Sequence, residues 1–355
     1  MRSVFVDKVA SVAQHSKLSH ELRVSDEIPC EEGVLIAVRV LNNKNRYNQL
    51  ELTSGRMATV NQGDIVVGAL GHRKALLGYS GYLPKSLDVG STIQILNIGG
   101  VMGICDSANP DVGPPFECEV LGTVLHFPYL GERIGVPARV GLRTLDPNAL
   151  LDTRGVPVVA LAGTCMDSGK TAAACAIVSR LRHQGFHVAA CKATGVSLRR
   201  DILAMEDAGA QETMIFSDLG IVATTAANGP ALTRSLLSGL AEYRPDVIVI
   251  ELGDGLLGAY GVEAILQDEN IRAAFSAVIL CANDPVAAWG GAKILREQFG
   301  IEPAVVTGPA TDNAVGVDQI KQRMSLPAIN AMTNGTALGD LIAAQLQALA
   351  KEKSS

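Results

Sequence analysis

The stretch from Val156 to Thr171, VPVVALAGTCMDSGKT, constrains the fold of this chain more than any other. Its apolar half, residues 156–162, predicts a buried strand, and the residues that follow Thr171 space their apolar side chains as a helix does. Between the two lies a glycine loop that ends in Gly169 and Lys170. This order is typical of a phosphate-binding loop, because loop amides and the helix N-terminus can surround phosphate oxygens.

The loop residues predict a division of roles in nucleotide binding. We expect Lys170 to neutralise the terminal phosphates and the Thr171 hydroxyl to ligate magnesium. Five residues separate Gly163 from Gly169, one more than the usual spacing. An alternative is a chance glycine turn with an exposed lysine. The nucleotide-binding residues predicted here are Gly163, Thr164, Cys165, Met166, Asp167, Ser168, Gly169, Lys170 and Thr171.

The length, composition and charge of the chain limit the classes of protein to which it can belong. A chain of 355 residues predicts two domains, and 48% hydrophobic with 19% charged residues predicts a substantial core rather than broad disorder. The net charge of -6 gives no sign of the basic surface that nucleic-acid binding needs, so we expect no nucleic-acid partner. No apolar run reaches membrane length and the N-terminus lacks a signal core, so we expect no membrane association.

The cysteines indicate a reducing compartment. The chain has seven of them, scattered and without a C-x-x-C pair. This favours free thiols in the cytoplasm over a disulfide framework or a zinc site.

Residues 1–150 predict a small β-rich domain whose role the sequence leaves unassigned. Short apolar stretches separated by turn residues occur at 33–40, 63–70 and 91–98. The glycine-dense segment 68–84 contains His72, Arg73 and Lys74, which either reach an anionic substrate or form a solvated turn. The polar segment 103–115 reads as a long loop, either a lid over a substrate site or a plain connection.

Residues 151–355 predict a nucleotide-binding domain of the α/β class, with a doubly wound, mostly parallel sheet. Residues 132–155 read as the connection into it. Near-continuous apolar strands, typical of a sheet covered on both faces, are predicted at 156–162, 186–191, 246–252, 276–282 and 303–308. Helices are predicted at 170–184, 201–209, 231–242, 259–268, 287–298 and 336–350.

Polar residues follow the predicted strands, at the edge where ligands bind in open parallel sheets. Glu251 closes an apolar strand, so it either serves magnesium or faces solvent at the strand end. Lys192 either steadies transferring charge as a catalytic residue or extends to the surface. Asp201 is a second magnesium carboxylate or a helix cap, and Asp254 has a turn role or a metal or substrate role.

Three segments together resemble the dethiobiotin synthetase family of P-loop proteins, over roughly residues 156–255. GTCMDSGKT (163–171) is similar to that family's phosphate loop, KATG (192–195) to its K-P-x-x-T-G segment, and ELGDG (251–255) to its E-G-A-G-G segment. The first 150 residues have no counterpart there.

The resemblance implies an activity and a set of roles. In that family, ATP phosphorylates a carbamate or carboxylate. By position, Lys170 and Lys192 would contact phosphates, Thr171 and Glu251 would serve magnesium, and Thr194 with Gly195 would line the substrate site. The nucleotide-binding set is completed by Thr194, Gly195 and Asn283, and the metal set is Thr171, Glu251 and Asp201.

The sequence therefore predicts a magnesium-dependent, ATP-using enzyme, a ligase or small-molecule kinase, that activates a small carboxylate or carbamate. ATP is expected rather than GTP, because no N-K-x-D signature is present. The alternative is a nucleotide-driven switch or regulatory NTPase that acts on a protein partner. The partners expected are a small-molecule acid substrate and, as one possible assembly, a second copy of the chain in a homodimer.

Overall fold

The computed structural model describes residues 1–129, 131 and 133–354, with the backbone alone for 352–354. Glu132, where the predicted connection begins, lies outside the described residues. The chain divides into two compact units. The N-terminal unit comprises Met1–Leu145, Val196–Arg200 and Phe216–Ala223. The phosphate-loop unit comprises Asp146–Gly195, Asp201–Ile215 and Thr224–Ser355.

The N-terminal unit is β-rich, as the sequence predicts. Its main sheet runs in the order β1-β3-β12-β4-β7-β11-β9-β8, while β10 pairs with β11 and β12. Strands β5 and β6 form a separate two-stranded sheet. The strands are β1 (Arg2–Phe5), β2 (Lys8–Val9), β3 (Glu21–Ser25), β4 (Leu35–Val40), β5 (Gln49–Glu51), β6 (Met57–Thr59), β7 (Ile65–Leu70), β8 (Arg73–Lys74), β9 (Tyr79–Tyr82), β10 (Thr92–Ile95), β11 (Val101–Ala108), β12 (Phe116–His126) and β13 (Val136–Pro137).

Two local predictions for this unit need correction. The expected polar loop at 103–115 begins later than predicted, because β11 continues to Ala108 by pairing with β9, and long-range pairing leaves no local apolar signal. Residues 109–115 do form turns and loop between β11 and β12. Arg73 is neither a solvated turn residue nor an exposed cation. It is buried, donates to the Leu96 carbonyl and the Tyr47 hydroxyl, and stacks near the Tyr47 ring.

The phosphate-loop unit is built on a fully parallel sheet in the order β16-β15-β17-β14-β18-β19. Its central strands are buried along their whole length, as expected where helices cover both faces. The strands are β14 (Val158–Gly163), β15 (Val188–Lys192), β16 (Glu212–Ile215), β17 (Val247–Glu251), β18 (Phe275–Cys281) and β19 (Val305–Thr307). The helices are α1 (Lys170–His183), α2 (Arg200–Asp207), α3 (Gly229–Ala241), α4 (Val262–Gln267), α5 (Glu269–Ala274), α6 (Pro285–Phe299), α7 (Ala314–Met324) and α8 (Gly335–Ser354).

The sequence missed β16 and α7. Strand β16 lies at the sheet edge and only one of its residues is buried, so it lacks the apolar run of its neighbours. Helix α7 buries a narrow stripe, and its start is fixed by the Asn313 side chain, which accepts from the Gly316 amide. The single helix predicted at 259–268 ends one residue early, at Gln267, where Asp268 caps a second helix. Within the described residues no helix has the length and apolarity needed to cross a membrane.

Candidate nucleotide site

The phosphate loop, defined here as residues 163–171, connects the central strand β14 to helix α1. Strand β14 ends at Gly163 and α1 begins at Lys170, so the order strand, glycine loop, helix is confirmed. Gly169 adopts a φ of 86°, a left-handed conformation that glycine takes at little cost. The Thr164 amide donates to the Cys281 carbonyl of β18 at 2.9 Å, which fixes the start of the loop against a neighbouring strand.

Glycines allow the loops after other strands to approach the phosphate loop closely. A Cβ on Gly255, after β17, would lie 2.7 Å from the Thr164 carbonyl oxygen and 2.8 Å from Cys165 Cα. A Cβ on Gly308, after β19, would collide with the Ser168 carbonyl. Because these obstacles are backbone atoms, the packing of the loops depends on the missing side chains.

Lys170 is buried at the centre of the site, so the alternative of an exposed lysine on a chance turn was wrong. Its exposed fraction is 6%. The ammonium Nζ donates to the carbonyls of Cys165 at 2.8 Å and Asp254 at 2.6 Å, and lies 3.3 Å from Ser168 Oγ. The lysine thus spans the interior of the phosphate loop and reaches the turn after β17.

Thr171 and Glu251 meet as the strand-edge argument predicts. The Thr171 hydroxyl donates to Glu251 Oε2 at 3.0 Å. Glu251 is only 2% exposed, so it does not face solvent. Burial raises the pKa of Glu251 above its ordinary value, while the charges of Lys192 and Lys170 and the Thr171 hydrogen bond oppose that rise.

Lys192 joins two carboxylates instead of extending to the surface. It is buried, forms an ion pair with Asp201, and its Nζ lies 3.7 Å from Glu251 Oε1. Asp201 lies in the first turn of α2, after Arg200, rather than at the capping position before the helix. The amides of Arg199 and Arg200 donate to the carboxylate of Glu51.

The remaining predicted residues take up different positions. Thr194 is buried, and its hydroxyl donates to the Gly253 carbonyl at 2.9 Å, which ties the loop after β15 to the loop after β17. The Gly195 amide donates to Thr224 Oγ1 at 2.9 Å. Asn283 is exposed where β18 ends, beside the residue that caps α6.

Asp254 is the site residue whose role the sequence left most open. It adopts a φ of 71° in the turn after β17 and is 8% exposed. Burial raises the pKa of its carboxyl group, whereas the charge of Lys170 and the backbone amides of Ala259 and Gly255 lower it. Its side-chain oxygen Oδ1 is buried without a hydrogen-bond partner among the described residues.

The site offers hard oxygen ligands of the kind that magnesium prefers. The Thr171 hydroxyl contacts Glu251, and the carboxylates of Glu251 and Asp201 both lie against the Lys192 ammonium. Thr164 Oγ1, inside the phosphate loop, is buried and lacks a partner within the described part of the chain. The described residues contain no group of three or more His, Cys, Asp or Glu side chains placed to hold a metal. The Thr171 hydroxyl and the Glu251 carboxylate are oxygen donors of the kind that hold a magnesium ion bound also to phosphate oxygens in nucleotide sites.

Comparisons with known proteins give only distant likenesses. No family model matches the chain, and no curated protein matches it. The signal recognition particle receptor FtsY of Elizabethkingia anophelis is 14% identical with a TM-score of 0.40, covering 56% of this chain and 68% of its own. The hydrogenase maturation factor HypB of Archaeoglobus fulgidus is 15% identical with a TM-score of 0.38, covering 54% and 91%.

A DUF1611 family protein of Anabaena variabilis is 13% identical with a TM-score of 0.40, covering 58% of this chain and 63% of its own. Likeness at this level identifies neither a family nor an activity, and the dethiobiotin synthetase resemblance stays a prediction. The fold is established by the elements of the chain itself. A parallel α/β sheet with the phosphate loop between its central strand and α1 gives this unit a P-loop NTPase fold.

Proposed function

We propose that this chain is a magnesium-dependent enzyme that transfers the terminal phosphoryl group of ATP to a small acceptor molecule. The observation that carries the proposal is the convergence of a buried lysine, a hydroxyl and a buried carboxylate at one sheet edge. Lys170 lies inside the phosphate loop, and the next residue, Thr171, donates to Glu251 at 3.0 Å. A buried carboxylate with a perturbed pKa beside a phosphate loop is a candidate functional group, which supports a role for Glu251 in the reaction.

Each residue has a distinct part in the proposed reaction. Lys170 would bind the terminal phosphates and stabilise the charge that develops during transfer. Thr171 and Glu251 would hold magnesium, which supplies charge neutralisation at the phosphate oxygens. Lys192 holds the carboxylates of Asp201 and Glu251 together, so it positions the metal ligands in addition to any direct phosphate contact.

The acceptor defines two forms of this proposal. The dethiobiotin synthetase resemblance implies a small carboxylate or carbamate, activated as an acyl phosphate for ligation. A small-molecule kinase would instead phosphorylate a hydroxyl group. A nucleotide-driven switch shares the same phosphate loop, but it would use water as the acceptor and a protein as the partner.

Competition binding and turnover test the proposal together. Unlabelled ATP and GTP compete with a fluorescent ADP analogue, and phosphate and ADP release are then followed with small carboxylates and alcohols added. We expect ATP to bind more tightly and at least one acceptor to stimulate ADP release. A tenfold preference for GTP without stimulation by any small acceptor would favour the switch.

A further inference from the structure

The turn after β17 holds a carboxylate in a conformation that the chain adopts only at a cost. Asp254 is a non-glycine residue with a φ of 71°, flanked by Gly253 and Gly255. Non-glycine residues adopt this left-handed region at an energetic cost, and such strain is concentrated at functional sites. A side chain on Gly258 would collide with Asp254 Oδ2, so the turn closes tightly around the carboxylate.

The two sides of this carboxylate have different surroundings. The backbone amides of Gly255 and Ala259 help to lower the pKa of the group. Oδ1, by contrast, is buried and has no hydrogen-bond partner among the described residues. A buried acceptor without a hydrogen bond destabilises the fold, so this oxygen is placed to accept a hydrogen bond from a ligand.

The unpaired oxygen belongs to a residue in direct contact with the phosphate-binding lysine. Lys170 Nζ donates to the backbone carbonyl of Asp254 at 2.6 Å, and the same ammonium lies within the phosphate loop. A phosphate bound to Lys170 would therefore lie near the turn that carries Asp254, and the charge of Lys170 acts on the Asp254 carboxyl group. A bare carboxylate acceptor would bring a second negative charge to this place and no proton, whereas an O–H group would supply the missing donor.

We infer that Asp254 is a catalytic base for an O–H acceptor, either the hydroxyl of a small molecule or water; this rests on the proposed phosphoryl transfer. The acceptor O–H donates to Oδ1 and its oxygen attacks the γ-phosphorus. The bond from the γ-phosphorus to the β,γ-bridging oxygen breaks, and ADP leaves with that electron pair. The acceptor proton passes to Asp254, which later releases it to solvent. Within the proposed function, this favours an O–H acceptor over a carboxylate.

The test compares the full-length wild type with Asp254→Asn. Asparagine tolerates the left-handed conformation and retains the backbone carbonyl that Lys170 contacts. It replaces one carboxylate oxygen with an NH2 group, so the neutral side chain cannot act as a base. We expect kcat for ATP turnover to fall by about 100-fold or more, the usual contribution of general base catalysis. The KM for ATP and the affinity for ADP, measured separately by calorimetry, should stay within about twofold because ground-state binding is unchanged.

A matched control is Asp284→Asn, which removes the same charge at the carboxyl edge of the sheet. Asp284 accepts from the amides of Val286 and Ala287 as the cap of α6, and asparagine caps equally well. Its kcat should equal that of the wild type. Glycerol added to the assay separates the two sources of the O–H group: glycerol phosphate assigns the hydroxyl, and inorganic phosphate alone assigns water.

The outcomes separate this inference from the proposal on which it rests. If the wild type turns over ATP and Asp254→Asn retains its kcat, Asp254 is not the base although phosphoryl transfer stands. If the substitution lowers ADP affinity as much as kcat, the residue supports the turn and the inference is wrong. If the wild type binds nucleotide without turning over ATP or GTP, the proposed function fails, and the base with it.

Discussion

Replacement of Lys192 by methionine should reveal the cost of the buried carboxylates at this site. The ammonium lies between Asp201 and Glu251, and the three side chains are 9%, 14% and 3% exposed. Methionine keeps an unbranched side chain of similar length but provides no charge. The substitution therefore leaves two carboxylates close together without a cation.

The expected loss in the free energy of unfolding can be estimated from the distance between the charges. At the 3.7 Å that separates Lys192 Nζ from Glu251 Oε1, an attraction at an effective dielectric constant of about 20 is worth roughly 4 kcal/mol. The cost of removing the Lys192 ammonium from water offsets part of this attraction, while the ion pair of Lys192 with Asp201 adds to it. Removing one partner of a buried ion pair costs about 3–5 kcal/mol, and we expect the free energy of unfolding to fall by this amount at pH 7.

The loss should depend on pH, because the carboxylates can take up protons. Burial already raises the pKa of Glu251, Asp201 raises it further, and Lys192 lowers it. Without Lys192, the pKa of Glu251 in the folded state rises further above its value in the unfolded chain. The folded variant then binds more protons than the unfolded chain, so its stability increases as pH falls through the raised pKa. The deficit in stability relative to the wild type should therefore shrink as the pH is lowered from 7.

Urea unfolding at pH 7 and at lower pH measures the free energy of unfolding of the wild type and of Lys192→Met, with Lys293→Met as the control. Lys293 pairs with Glu297 at 3.8 Å on the surface of α6, with side chains 52% and 64% exposed, so its loss should cost no more than about 0.5 kcal/mol. Adding Glu251→Gln to Lys192→Met should recover part of the stability. A deficit below about 1 kcal/mol, or one unchanged with pH, would refute the reasoning.

Two further substitutions test the metal ligands and the packing of the loops. Glu251→Gln should raise the magnesium concentration required for half-maximal turnover by about 10–100-fold and leave metal-free ADP affinity nearly unchanged; superimposable magnesium titrations would make Glu251 a structural residue. Gly255→Ala should destabilise the fold by about 1–3 kcal/mol and slow turnover, because its Cβ would press on the backbone of Thr164 and Cys165. The control is Gly290→Ala on α6, where a Cβ would meet open space. In thermal melts this substitution should leave the stability unchanged or raise it. Equal changes in stability for the two alanine variants would contradict the packing argument.

The phosphate loop could be predicted from the sequence because its signal is local. Strand, loop and helix are consecutive, and the glycines mark where the backbone turns. The meeting of Thr171 with Glu251 could also be predicted, since β17 and β14 are parallel and their carboxyl ends share one edge.

The role of Lys192 could not be predicted, because its partners lie on other elements. Asp201 belongs to the following helix and Glu251 to the neighbouring strand β17, so the pairing depends on the order of strands in the sheet. The same reason applies to β11, whose outer half becomes a strand only through its pairing with β9. The sequence identifies Asp254 as a polar residue in a turn. That its Oδ1 has no hydrogen-bond partner among the described residues depends on how the chain packs, which the sequence pattern does not show.

Turnover of magnesium-ATP by the wild type and by Lys170→Ala tests the central claim most directly. Lys170 contacts the carbonyls of Cys165 and Asp254 and would meet the terminal phosphates, so its loss removes charge stabilisation from the transition state. Circular dichroism of both proteins shows whether the fold is retained. We predict measurable turnover by the wild type and a decrease of at least about 100-fold in a folded Lys170→Ala protein. Turnover by the variant close to that of the wild type would contradict the assignment of this loop as a phosphate-binding site.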